Sequence, residues 1–163
     1  MGQTYNYKFP LWEAEDPITR ESVNNVLEEI DYAIKAARLY SVVRYAYGAS
    51  SVTFDVARIN FGDWREVLVE MIPHGTGSCT FEMNGTRLGS VTLPMNEYSS
   101  FRIATDFHGN ACTAGFLHTS TADEHVVTSI PVSDIASFTL RLVSPSDTFS
   151  TNMESCVTIY AVK

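Results

Sequence analysis

The chain has 163 residues, 45% of them apolar and only 18% charged, with a formal net charge of −8. That length holds one domain with an appendage, and the apolar share is enough for a hydrophobic core. The acidic balance excludes nucleic acid as a partner: the 11 basic residues are scattered, whereas counterion release needs clustered Lys and Arg.

Residues 1–18 read as an extended arm. The opening Met1-Gly2-Gln3-Thr4-Tyr5-Asn6-Tyr7-Lys8 is polar and aromatic, without the apolar stretch of a secretory signal. No later run reaches the roughly 20 apolar residues of a membrane span, so membrane insertion is not expected. Pro10 holds Phe9 in an extended geometry, and Asp16-Pro17 closes the arm with a turn. Phe9, Leu11 and Trp12 are too large and apolar to be left in water. They form a docking arm, either covering the base of their own β domain or seated on a neighbouring subunit.

Residues 19–38 are the one strongly helical stretch. Thr19 is a good N-cap, and Glu21 favours the positive end of the helix dipole. Val23, Leu27, Ile30, Ile34 and Ala37 recur at alternating steps of four and three, the a/d pattern of a coiled-coil seam. The polar side chains Asn24, Asn25, Glu28, Glu29, Asp31, Lys35 and Arg38 fall off that seam. Ile at 30 and 34 with Leu at 27 tilts the expected assembly towards a homotrimer. A lone helix lying on the sheet is the competing reading.

From about residue 40, turn signals recur at short intervals: Gly48-Ala49-Ser50, Gly62-Asp63, Pro73-His74-Gly75-Thr76-Gly77, Asn84-Gly85, Pro94-Met95-Asn96, His108-Gly109-Asn110, Thr121-Ala122-Asp123 and Ser144-Pro145-Ser146-Asp147. Between them, Phe81-Glu82-Met83, Phe101-Arg102-Ile103, Phe138-Thr139-Leu140-Arg141-Leu142 and Val157-Thr158-Ile159-Tyr160 alternate apolar with polar. Asn84-Gly85 predicts a type I′ hairpin. The expected fold is mainly β: an N-terminal arm and short coiled-coil helix over 1–40, then an antiparallel, jelly-roll-like β-sandwich over 41–163.

Chemistry is sparse. Cys79, Cys112 and Cys156 are an odd number at wide spacing, expected within strands as reduced residues rather than a disulfide frame or zinc site. His74, His108, His118 and His125 sit in or beside turns without a metal-ligating spacing, so each reads as a surface histidine. Gly75-Thr76-Gly77-Ser78-Cys79 is not G-x-S-x-G and leads into a strand, so no nucleophile elbow is expected. The sequence therefore implies no metal or cofactor and no enzyme. Trp64 and Tyr98, beside turns, are candidate sugar-stacking rings, with Asp106 and His108 as candidate hydrogen-bond partners.

The N-terminal run Tyr7-Lys8-Phe9-Pro10-Leu11, with Asp16-Pro17-Ile18-Thr19-Arg20-Glu21-Ser22-Val23-Asn24-Asn25 and Ile30-Asp31, resembles the opening segment of tail-fibre, baseplate-appendage and related virion proteins from phages and prophages of Gram-positive bacteria. The run Cys156-Val157-Thr158-Ile159-Tyr160-Ala161-Val162-Lys163 is similar to the closing strand of galactose-binding-like jelly rolls, with Ala161 where that pattern often has Gly. The first resemblance implies an oligomeric virion structural protein, a tail fibre, appendage or capsid-surface decoration, whose partners are itself, other virion proteins and host-surface glycan. The alternative is a free-standing carbohydrate-binding or adhesion module.

Overall fold

The computed structural model describes residues 2–3, 10–11, 23–27, 38–104 and 112–162. The chain divides into two units, 1–38 and 39–163, each described by itself.

In the first unit, β1 (Gly2–Gln3) pairs antiparallel with β2 (Pro10–Leu11), with Gly2 opposite Leu11 and Gln3 opposite Pro10. Of the arm expected over 1–18, these four residues are the described ones. Residues 23–27 are helical. Of the five seam residues, Val23 and Leu27 are described, and they are 40% and 58% exposed. Val26, off the seam, is only half-exposed. Ile30, Ile34 and Ala37 lie outside the described residues, as do Phe9 and Trp12 of the docking arm. Arg38, expected as the last residue of the helical run, instead opens a strand.

The second unit is built from nine strands of five residues or more among the described residues: β3 (Arg38–Arg44), β4 (Ser51–Asp55), β5 (Glu66–Ile72), β7 (Ser78–Met83), β10 (Ser99–Ala104), β11 (Thr113–His118), β12 (Asp123–Thr128), β13 (Ser137–Leu142) and β15 (Ser155–Val162). Four two-residue strands complete them: β6 (Gly75–Thr76), β8 (Thr86–Arg87), β9 (Leu93–Pro94) and β14 (Thr148–Phe149). One sheet runs β12-β11-β10-β5-β15-β3; the other runs β4-β13-β7-β8, with β9 also on β7. From β3 to β10 the long strands alternate between the two sheets, so most neighbours within a sheet are distant in sequence.

Alternation explains the core. In β5, Val67, Val69 and Met71 are buried while Glu66, Leu68, Glu70 and Ile72 are half-exposed on the other face. Phe81 of β7 meets Phe101 of β10 edge-on at 5.8 Å, a contact between the two sheets, and lies 5.2 Å from Phe138 of β13. Each such phenylalanine contributes about 1.5–3 kcal/mol on burial. Glu82, an outward position in β7, is nevertheless only 6% exposed, because the Arg141 guanidinium covers it with bonds of 2.5 and 3.1 Å. On the outer face of the larger sheet, Arg102 makes the same two-pronged pair with Glu66, at 2.6 Å through each prong.

The expected Asn84-Gly85 turn is present. Met83 pairs with Thr86 across it, and Asn84 and Gly85 take φ of 50° and 77°, the two positive values that a type I′ turn requires. Asn84 also fastens the hairpin turn to the segment that leads into β13 of the same sheet. Its Oδ1 accepts from the amides of Ala136 (2.8 Å) and Ser137 (3.0 Å), and its Nδ2 donates to the Asp134 carbonyl at 2.7 Å.

Candidate functional site

The glycan candidates read from the sequence do not form one site. Trp64 lies two residues before β5 begins, half-buried against the core. Tyr98 precedes Ser99, which pairs with Met71 at the other end of β5. At roughly 3.3 Å per residue, the strand holds them about 20 Å apart. Tyr98 is 45% exposed, and its hydroxyl donates to Glu70 at 2.9 Å. Partial burial, then the neighbouring Glu70 carboxylate, raises its pKa. Asp106 and His108 lie outside the described residues.

The histidines are less idle than the sequence implied. His118 bonds Asp123 across the β11–β12 hairpin. His125 stacks against the exposed ring of Phe116 at 5.0 Å. His74 Nδ1 lies 3.3 Å from Asn96 Oδ1. Cys79 is buried, and that burial pushes its thiol up to about 12. Cys156 within β15 is raised for the same reason, while Cys112 precedes β11 instead of lying inside a strand. All three thiols are free. Among the described residues, no group of three His, Cys, Asp or Glu side chains is placed to hold a metal, and no helix is long and apolar enough to cross a membrane.

A concentration of convergent polar groups among the described residues lies instead at the end of the sandwich where β5 finishes and β10 and β15 begin. Four segments distant in sequence meet there: the turn through Tyr47, the β6 segment, the turn at Asn96 and the β14 segment. β6 and β14 form a small ladder with Thr76 opposite Thr148 and Gly75 opposite Phe149. The two strands approach so closely that a Cβ on Gly75 would strike the Thr148 carbonyl, so only glycine fits.

Asn96 clamps this ladder from the side. Its backbone is held at a φ of 63°, its Nδ2 donates to the Gly75 carbonyl at 2.8 Å, and its Oδ1 accepts from the Gly75 amide at 3.2 Å. Backbone bonds from Asn96 to Pro73 (2.6 Å) and from Ser150 to His74 (2.7 Å) tie the remaining loops. The His74 amide in turn donates to Ser155 Oγ at 3.0 Å.

Two depressions flank the Thr148–Phe149 ridge. One, of 250 Å³, is walled by Tyr47, Thr76, Asn96, Thr148, Ser150 and Thr151. The other, of 460 Å³, opens between the Gly48–Ser50 turn and the Ser144–Asp147 loop. The larger falls within the size range of small-ligand sites and the smaller just below it. Inside the larger one, Asp147 is already engaged, its Oδ2 accepting from the Ser144 amide at 3.1 Å and the Ser78 amide at 3.4 Å. Tyr47 stands at the rim of the smaller one with 66% of its surface exposed. In the sequence Gly75-Thr76-Gly77 and Asn96 are turn signals, whereas nothing local distinguishes Tyr47. The left-handed Asn after a Pro-Met turn was the available signal.

No protein-family model, curated protein or solved structure matches this chain.

Proposed function

We propose that the chain is a structural protein of a phage particle, a tail-fibre, baseplate-appendage or capsid-surface subunit. Val23, Leu27, Ile30, Ile34 and Ala37 associate copies of it as a homotrimer, and a jelly-roll-like β head meets host-surface glycan. The observation that carries this reading is the exposure of Leu27 (58%) and Val23 (40%) while Val26 beside them is half-covered. Two apolar residues spaced for a partner helix, both exposed, are what an assembling subunit requires. The N-terminal resemblance and the apolar Phe9, Leu11 and Trp12, which would dock on other virion proteins, point the same way.

Light scattering on the purified chain at tens of micromolar is expected to report three copies. Leu27→Asp would place a charge in the seam and should dissociate them, with far-ultraviolet dichroism of the β head unchanged. A monomeric wild type would overturn the assembly. A monomer that still bound host cell wall would favour the free-standing carbohydrate-binding module, the reading that the hydroxyl-lined smaller depression supports on its own.

A further inference from the structure

We infer that the depression beside the β6–β14 ladder binds a neutral, polyhydroxylated ligand, a sugar ring of a glycan chain, with Tyr47 as its stacking platform. This rests on the reading of the β unit as a glycan-facing head, and it assigns that role to a place remote from Trp64 and distinct from the Tyr98–Glu70 pair.

The chemistry of the walls selects the ligand class. The smaller depression is lined by hydroxyls, one carboxamide, a phenol and backbone, with no Lys, Arg, Asp or Glu. An anionic ligand would find no counter-charge there and would approach a chain of net charge −8. A cation would find no carboxylate. A neutral ligand that carries its own donors and acceptors meets neither penalty.

Hydrogen-bonding capacity is left over at the right place. Thr76 Oγ1 and Thr148 Oγ1 are 3.0 Å apart, both on exposed residues, and share one bond. Two hydroxyls together offer two donors and four acceptor lone pairs, so one donor and three acceptor positions remain. Adjacent sugar hydroxyls present both kinds of partner side by side. Ser150, which also lines the depression, accepts at Oγ from the amides of Asn152 (3.1 Å) and Met153 (3.0 Å), so those bonds leave its hydroxyl proton unused. Asn96, by contrast, spends its carboxamide on Gly75 and serves as scaffold.

The apolar requirement is met at the rim. A sugar ring has a C–H face that packs on an aromatic ring while its edges bond to polar groups, and Tyr47 exposes such a ring beside the hydroxyl pair. The site is held rigid before any ligand arrives, since the clamp on Gly75 and the backbone ties to Pro73 and His74 leave little to order on binding. Beyond the Thr148–Phe149 ridge the 460 Å³ depression gives room for a second ring, so an oligosaccharide should bind better than a monosaccharide.

The full chain, titrated by calorimetry and by amide chemical shifts with maltotriose, chitotriose and galactobiose, is expected to bind at least one of the three. Tyr47→Ala, and the paired change Thr76→Val with Thr148→Val, should each weaken that binding about tenfold or more. Tyr98→Ala should leave it unchanged. Circular dichroism and scattering mass are expected to match the wild type throughout. Three outcomes overturn the inference: no binding of any probe at about 10 mM, binding that survives both sets of substitutions, or binding lost in Tyr98→Ala. A monomeric chain that still binds a probe through Tyr47 would remove the virion assembly and leave the sugar site standing.

Discussion

Glu124 of β12 holds the backbone of Ser90 and Val91 like a clasp. Its Oε2 accepts from the Ser90 amide at 2.7 Å and the Val91 amide at 2.8 Å, and its Oε1 accepts from the Ser90 hydroxyl at 3.0 Å. Ser90 and Val91 lie in the loop between β8 and β9 of the smaller sheet, whereas β12 is the edge of the larger one. One carboxylate therefore stitches the two sheets together along that side.

The clasp makes stability pH-dependent in a defined direction. The Val91 amide first, then the Ser90 amide, hold the Glu124 carboxyl below the ordinary glutamate value of 4.5. A lowered folded pKa stabilises the fold above the ordinary value, and that contribution is lost as pH falls through the folded one. Wild type should thus melt higher than Glu124→Gln at neutral pH. The two melting curves, measured from pH 7 to pH 3, should converge at the acid end. A gap of constant size across that range would show that the carboxylate's ionisation contributes nothing.

Asn84→Ala tests how the central hairpin is fastened. Alanine at a φ of 50° is strained, and the substitution leaves the amides of Ala136 and Ser137 without their side-chain acceptor. Because the site is solvent-exposed, water replaces part of what is lost, and a cost of about 1–2 kcal/mol is expected from urea unfolding. Asn84→Asp keeps the acceptor and tolerance for the left-handed region but turns the Nδ2 donor to the Asp134 carbonyl into an oxygen, so it should recover only part of that loss. Equal destabilisation by both variants would place the cost elsewhere.

The thiols give a chemical readout of the fold. Cys79 is fully buried and its thiol is pushed up to about 12, so it should resist iodoacetamide at pH 8 until the chain unfolds. Mass spectrometry of peptides after a brief pulse in native buffer should find Cys79 unmodified, and in 6 M guanidinium fully modified. Rapid native labelling of Cys79 would mean that β7 opens readily.

Legibility from sequence followed the range of the interactions. The Asn84-Gly85 turn and the strand character of Phe81-Glu82-Met83 are local, set by turn chemistry and period-two alternation, and both were readable. The burial of Glu82 was not, because it depends on Arg141, a residue 59 positions away. A two-residue ladder such as Gly2–Gln3 with Pro10–Leu11 leaves no periodic trace in the sequence. The candidate site was the least legible element. Tyr47, Thr76, Asn96 and Thr148 are each ordinary in their local context, and only the crossing of strands between sheets gathers them. Trp64 and Tyr98 are large flat rings beside turns, yet the length of β5 keeps them apart.

Strand β15 has a consequence for how the protein is made. It lies between β5 and β3, and Thr158 bonds Ser41 from 117 positions downstream. A ribosome delivering the chain from its N-terminus has therefore released β3 and β5 long before it releases the strand that joins them. Throughout that interval the larger sheet can exist only as a four-stranded piece ending at β5 and a separate strand β3, each with an unsatisfied edge. Closure is a late, non-local event, slow by its topology and open to pairing between neighbouring nascent chains. Translation that stalls before Ser155 should yield aggregates rather than a smaller folded head.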